Sequence, residues 1–315
     1  MKNFNLFISF FYFACFSLHA QNITSLQVPG KNLYCKINQS SVSVLPSGRF
    51  VKPVGKVSTI TNDPFGLSIS KDGKYAVTLH NGVLTIYNLH TDSITRVPDY
   101  DKKIPSPFTN GSFIGISFHS NSKTIFLSGG DSGNVIEYDI ENLKIVNSYS
   151  LNGEFKNINF KDSFTSDLVY DDLHNELLVL DQANYRLVKI NCDTKTIIAS
   201  ISVGRIPFGI ALSPDHSTAI VANVGMYAYP LIEGINQNNY DSMLITRHPY
   251  AHVSKESILG TQIENKIIPG VGDPNVNESM SVFVVDLLSN EVKYRIKTGY
   301  LVGQMLEDAE VIGGA

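Results

Sequence analysis

A repeated pair of apolar runs constrains the fold of this chain more than any other feature of its sequence. Four copies, which begin at Gly66, Gly115, Asp167 and Gly209, align with one another without gaps. In each copy apolar residues stand at the second and fourth positions, the two-residue period of a half-buried strand. A polar turn and a second apolar run follow, so each copy predicts a β-hairpin.

Two further apolar runs follow each hairpin. The third run is followed by Asn88, Asp139, Asn191 or Asp286, whose side chain can bond its own backbone two residues on and start a turn. In chain order, the third runs are Leu84–Tyr87, Val135–Tyr138, Leu187–Ile190 and Val282–Val285. The fourth runs are Ile94–Val97, Ile145–Tyr149, Ile197–Val203 and Val292–Ile296. Units of roughly 40 to 50 residues are typical of propeller blades. The sequence therefore predicts an all-β fold, a β-propeller of four-stranded antiparallel blades.

The fourth copy contains a long insertion, which we place at about 225–279. This region holds Pro230, Pro249, Pro269 and Pro274, as expected of an excursion from one face of the ring. Long excursions are more often functional or disordered than simple connectors. We therefore expect the insertion to be the binding surface.

The two ends of the repeat array do not match. Val57–Thr61 reads as the outer strand of an incomplete first blade, yet no partner strands follow Ile296. Open sheet edges are avoided in natural proteins. We therefore expect about four blades plus opening strands, as the N-terminal part of a longer protein.

Residues 1–20 read as a secretory signal peptide. A short cationic start at Lys2 precedes an apolar run over residues 4–18, and the small residue Ala20 ends the segment. The apolar run is shorter than the roughly 20 residues that cross a bilayer. The sequence predicts an exported protein whose mature chain, 21–315, is a partial propeller without a membrane span.

Composition excludes several classes of function. The chain has 25 Lys and Arg against 29 Asp and Glu, which gives a net charge of −4. It therefore lacks the basic stripe of a nucleic-acid-binding protein. The chain has no Trp, which excludes literal matches to the blade signatures of WD40 and kelch repeats. Cys35 and Cys192 carry no spacing signature; they could pair in an oxidising compartment, but isolated buried thiols are favoured.

The sequence contains no motif that assigns a catalytic or cofactor-binding residue, and we expect no cofactor. The weak metal candidates are His248 and His252, which stand four residues apart in the insertion. Pro249 disfavours a helix at His248, and no Glu follows as in a His-Glu-x-x-His motif. A loop pair without metal is the favoured interpretation.

One repeat resembles a known family. The segments 203–215 and 219–223, Val-Gly-Arg-Ile-Pro-Phe-Gly-Ile-Ala-Leu-Ser-Pro-Asp and Ala-Ile-Val-Ala-Asn, resemble the YVTN-type (YncE-like) β-propeller repeat. The other copies end differently, at His80, Gly129 and Asp181. This family does not need a blade Trp.

Further segments resemble bacterial exported proteins in which a YncE-like propeller is joined to an alkaline-phosphatase-like phosphoesterase domain. They are Leu45–Arg49, Pro53–Gly55, Val224–Met226, Pro269–Asn275 and Val311–Ala315. The resemblance implies a seven-bladed ring and a metal-dependent hydrolase beyond residue 315, in the periplasm or outside the cell. None of the hydrolase lies in this sequence, so no catalytic residue is carried over.

Two classes of function remain. The first is a non-catalytic binding or scaffold module whose insertion contacts a protein partner, a small ligand or its own downstream enzyme domain. The second is an enzyme, either a phosphoesterase with its catalytic domain beyond residue 315 or a propeller-type lactonase. Fold alone does not decide between them.

Overall fold

The computed structural model describes residues 27–38, 41–108, 111–230, 234, 239, 254–263 and 266–301. The predicted signal peptide, His248 and His252 lie outside these ranges. The chain divides into two compact units, one up to Ile60 and one from Thr61 onward. The first unit contains the two-stranded antiparallel sheet of β1 (Ser43–Val44) and β2 (Phe50–Val51).

The second unit contains the four repeats, and each forms a four-stranded antiparallel sheet with its strands in chain order. We call these sheets blades 1 to 4. Blade 1 consists of β3 (Gly66–Ile69), β4 (Tyr75–His80), β5 (Val83–Asn88) and β6 (Ser93–Val97). Blade 2 consists of β7 (Ile116–Phe118), β8 (Thr124–Ser128), β9 (Asn134–Asp139) and β10 (Lys144–Ser150).

A short hairpin that the sequence did not predict, β11 (Gly153–Phe155) and β12 (Ile158–Phe160), separates blades 2 and 3. Blade 3 consists of β13 (Thr165–Asp171), β14 (Glu176–Asp181), β15 (Arg186–Asn191) and β16 (Thr196–Ser202). Blade 4 begins with β17 (Pro207–Leu212) and β18 (Thr218–Asn223). The insertion follows with α1 (Lys255–Leu259), β19 (Gly260–Ile263) and β20 (Lys266–Pro269), and blade 4 ends with β21 (Ser281–Asp286) and β22 (Glu291–Lys297).

Consecutive blades pack through their apolar faces and first strands. The first strands β3, β7, β13 and β17 contact one another in sequence. Three buried apolar clusters lie between the blades; the first includes Leu79 and Leu127, the second Phe126 and Leu177, and the third Leu180 and Phe283. Radially packed four-stranded meanders confirm the predicted propeller-type, all-β architecture.

The two outermost blade faces have no neighbouring blade among the described residues. Leu67 and Ile69 of β3 are 65% and 58% exposed, on the face opposite the one that packs on blade 2. On blade 4, Tyr294 and Ile296 are 63% and 51% exposed, on the face away from blade 3. The segment 57–61 forms no strand, so the structure does not show the outer strand that the sequence predicted there.

The second strand of each blade ends in a buried polar residue: His80, Ser128, Asp181 and Asn223. In blade 1, the His80 ring donates from Nδ1 to the carbonyl of Asn62 over 2.7 Å, and its Nε2 accepts from the Thr61 hydroxyl over 2.6 Å. In blade 2, Ser128 Oγ accepts from the backbone N–H of Gly115 over 3.0 Å. These bonds fix the loop that leads into each blade.

The equivalent residue bonds the entering loop in blade 3 but only packs against it in blade 4. Asp181 accepts from the Ser163 hydroxyl over 2.8 Å and from the Phe164 N–H over 3.2 Å. Asn223 packs against Gly204, where an added Cβ would lie 2.5 Å from the Asn223 side-chain carbon. In blades 1 to 3 the different endings are therefore alternative polar groups that hydrogen-bond the entering loop, and in blade 4 the ending contacts that loop by packing.

The site in blade 3 also holds a buried ion pair. Arg186 Nε donates to Asp181 Oδ2 over 2.8 Å, and its Nη2 donates to the Leu151 carbonyl over 2.5 Å. The guanidinium lies 3.5 Å from the centre of the Phe160 ring. Arg186 is 2% exposed and Asp181 is fully buried, so the pair is shielded from water.

The turns between third and fourth strands confirm the sequence prediction. The side chains of Asn88, Asp139, Asn191 and Asp286 each accept one or two backbone N–H groups within the next three residues. Both Cys35 and Cys192 are free thiols. Cys192 is partly buried, and burial raises its pKa to about 12, whereas Cys35 is exposed, so the prediction of two buried thiols was wrong for Cys35.

We predict that Asp181→Ala costs about 3–5 kcal/mol of unfolding free energy, because it leaves the buried Arg186 guanidinium without its counter-charge. Urea unfolding followed by circular dichroism measures this loss. The control is Lys123→Ala, which removes a surface pair with Glu141 and should cost less than about 1 kcal/mol. Equal losses for the two variants would contradict the prediction.

A second prediction concerns Asp286, whose pKa is lowered to about 2 by its bond with Lys293 and by the Ser289 backbone N–H. Because the folded-state pKa lies below the ordinary 3.8, the stabilisation by this carboxylate is complete above pH 3.8 and disappears as the pH falls toward 2. Asp286→Asn should therefore lower the unfolding midpoint at pH 7 and have a shrinking effect below pH 4. A constant difference across this range would refute the assignment.

Candidate functional site

The turns between first and second strands of the four blades lie together on one face of the blade array. The Asp72 N–H donates to Ser122 Oγ over 3.2 Å, which joins the turns of blades 1 and 2. Lys71 Nζ lies 2.8 Å from Asp172 Oδ2, which joins blades 1 and 3. We call the group formed by Lys71, Asp171, Asp172, His174 and His216 the turn cluster.

Asp171, the last residue of β13, is at the centre of the turn cluster. Its side chain is 1% exposed, and its two oxygens contact Nδ1 of His216 at 2.6 Å and Nδ1 of His174 at 2.7 Å. Burial raises the pKa of Asp171, but the hydrogen bonds from the two imidazoles outweigh burial and leave this pKa lowered. Because an ionised carboxylate only accepts, both imidazoles carry a proton on Nδ1.

Asp172 lies beside the same imidazole. Its Oδ1 is 3.7 Å from Nε2 of His216, and its Oδ2 accepts from Lys71. The Lys71 hydrogen bond is the main reason that the pKa of Asp172 is lowered. Asp171, Asp172 and His216 have potential metal-ligating atoms within 4.8 Å of one another, the one such group among the described residues.

Sequence reasoning treated these residues as turn formers and missed the cluster. A signal was present, since His174 and His216 occupy the same position in the gap-free alignment of the third and fourth repeats. First strands that run side by side bring equivalent turn residues together. The sequence prediction instead named His248 and His252, which lie outside the described residues.

The insertion leaves from the opposite end of blade 4. Its outgoing and returning chains pair through the Ala228 N–H, which donates to the Val271 carbonyl over 2.8 Å. The Arg205 guanidinium donates to the carbonyls of Met226 and Asp273 over 2.9 and 2.7 Å. The Tyr185 hydroxyl also donates to the Ala228 carbonyl. The base of the insertion is therefore fastened to the loops of blades 3 and 4.

Lys297 of β22 holds the returning chain. Its ammonium donates to the carbonyls of Pro274, Val276 and Ser279 over 3.2, 2.8 and 2.7 Å. Burial lowers the pKa of Lys297. Further out, Tyr229, Leu259 and Ile267 are 55%, 78% and 74% exposed. The insertion thus combines a fixed base with apolar side chains that face solvent.

No protein-family model matches the chain, and no curated protein matches it. Among solved structures, hydrazine synthase of Kuenenia stuttgartiensis is similar at 12% identity and a TM-score of 0.48, over 76% of this chain and 51% of that one. U3-55K and the RRP9 WD40 repeats are similar at 10% identity and TM-scores of 0.40, over 51% of this chain and 46% and 45% of theirs. The chain spans about half the length of these structures, and the likeness concerns the fold alone. Among the described residues, no helix is long and apolar enough to span a membrane.

We predict that Asp171→Ala destabilises the fold by about 1–3 kcal/mol, because its loss leaves imidazole N–H groups and the Leu173 N–H without their acceptor. Chemical unfolding measures the change. The matched control is the neighbouring Asp172→Ala, which removes an exposed pair and should cost less than about 1 kcal/mol. A larger loss at Asp172 than at Asp171 would contradict this view of the cluster.

Proposed function

We propose that the chain is a non-catalytic β-propeller binding module that presents its insertion to a partner protein. The observation that carries this proposal is that blade 4 is complete without the insertion. Strands β18 and β21, which flank the insertion, pair along their whole length from Thr218 with Asp286 to Asn223 with Ser281. A long segment that its sheet does not need is typical of a functional loop.

The exposed side chains of the insertion favour a protein as the partner. Tyr229, Leu259 and Ile267 place apolar surface in solvent on a segment whose base is fixed. Apolar and aromatic anchors on a fixed support are the usual energetic centre of a protein–protein interface. A fixed base also reduces the entropy lost on binding.

The finer parts of the proposal rest on the sequence. Export through residues 1–20, to the periplasm or the cell exterior, is supported by the charge and apolar pattern of that segment. The partner could be the chain's own downstream phosphoesterase domain, as the resemblance to propeller–phosphoesterase proteins implies. In that case the chain by itself should not hydrolyse a model phosphate ester, and turnover would favour the enzyme hypothesis instead.

The test removes the insertion without disturbing the blade. Because Ala228 and Val271 are hydrogen-bonded neighbours, an Asn-Gly turn can replace residues 229–270. We expect this variant to keep the circular dichroism spectrum and unfolding midpoint of the parent. A partner captured by the parent chain from a native extract is purified and titrated against the parent and against the deletion variant. We expect the parent to bind this partner and the deletion variant to lose binding.

Point variants make the same test without a deletion. Leu259→Ser and Ile267→Ser should each weaken binding of the purified partner by about tenfold or more, as expected for anchor residues. Leu288→Ser is the matched control, since Leu288 is 92% exposed in the turn between β21 and β22, outside the insertion. Equal binding by the parent and the deletion variant would refute the assignment of the insertion.

A further inference from the structure

We propose that the turn cluster binds a divalent transition-metal ion, Zn²⁺, through Nε2 of His216 and the carboxylate of Asp172. In this site Asp171 is a positioning residue that holds His216 in a ligating orientation. The site does not depend on the proposed function, because the insertion leaves from the opposite end of blade 4.

The orientation of His216 is the first argument. Its Nδ1–H donates to the buried Asp171 carboxylate over 2.6 Å, which leaves Nε2 as the ring nitrogen that can ligate an ion. Histidines that ligate metals in proteins almost always donate their other ring N–H to a carboxylate, a carbonyl or water. The His216 side chain is 23% exposed, so an ion can reach this nitrogen from solvent.

The spacing of the two ligands is the second argument. Zn²⁺ binds imidazole nitrogen and carboxylate oxygen at about 2.0–2.2 Å, which places two tetrahedral ligands roughly 3.3 Å apart. Nε2 of His216 and Oδ1 of Asp172 are 3.7 Å apart, so a side-chain shift of less than about 1 Å closes the pair on an ion. The remaining positions are open to water, because His174 does not belong to the group whose ligating atoms lie within 4.8 Å of one another.

The local charges are the third argument. The cluster contains two carboxylates and one ammonium, Lys71, which now pairs with Asp172 at 2.8 Å. The Lys71 side chain is 70% exposed, so it can withdraw into water at little cost when a divalent ion takes its place. Imidazole together with carboxylate favours Zn²⁺ or a neighbouring transition metal over Mg²⁺ and Ca²⁺, which prefer all-oxygen sites.

Isothermal titration of the full chain with zinc chloride tests the proposal. We expect His216→Ala and Asp172→Asn each to weaken zinc binding about tenfold or more, and Asp171→Asn to weaken it by a similar factor through lost orientation. His90→Ala, at an exposed histidine of blade 1, is the matched control and should bind as the parent does. Folding of each variant is checked by circular dichroism without metal.

Lys71→Ala gives a readout that a purely structural cluster would not produce. Removing the competing ammonium should tighten zinc binding several-fold, whereas a cluster without a metal function predicts no change. Cobalt, whose visible spectrum reports nitrogen and oxygen ligands, should show a band that is lost in His216→Ala. Excess Mg²⁺ should not displace zinc.

Three results would overturn the proposal. The first is equal zinc affinity in the parent and in His216→Ala. The second is loss of zinc only in the double variant His248→Ala and His252→Ala, which would place the ion in the insertion. The third is displacement of zinc by Mg²⁺, which would indicate a site made of carboxylates alone.

Discussion

Every blade of this chain depends on a polar side chain that is buried where its second strand ends. The backbone of the loop that leads into the blade arrives at the same place and needs hydrogen-bond partners away from water. His80, Ser128 and Asp181 supply these bonds, and Asn223 supplies close packing against Gly204. Loss of Asp181, for example, leaves the Phe164 N–H without this acceptor, which is more costly than the loss of an exposed contact.

This constraint also separates the two ends of the blades. At the end where the second strands finish, buried polar groups and the Asp181–Arg186 pair fix the loops. The insertion begins at this end of blade 4. At the other end, the turns between first and second strands are more exposed. Their polar side chains contact one another across blades, as Lys71 and Asp172 do. The first end suits presentation of a loop and the second suits capture of a small ion.

The sequence predicted the regular part of the fold because the signals are local. Alternating apolar residues and the Asn or Asp after each third strand determine strands and turns within a few residues, and the structure confirms them. The sequence prediction failed at two places in the chain. Residues 57–61 have a strand-like sequence but form no strand, and the hairpin at 153–160 is too short to leave a periodic pattern.

The sequence by itself determined the blades, their order and the place of the insertion. Only the tertiary structure decided which polar residues meet. Asp171 and His216 are distant in the chain, and they become neighbours because β13 and β17 lie side by side and end on the same face. The repeat alignment placed His174 and His216 at equivalent positions, but a metal-ligating geometry requires distances that no linear pattern contains.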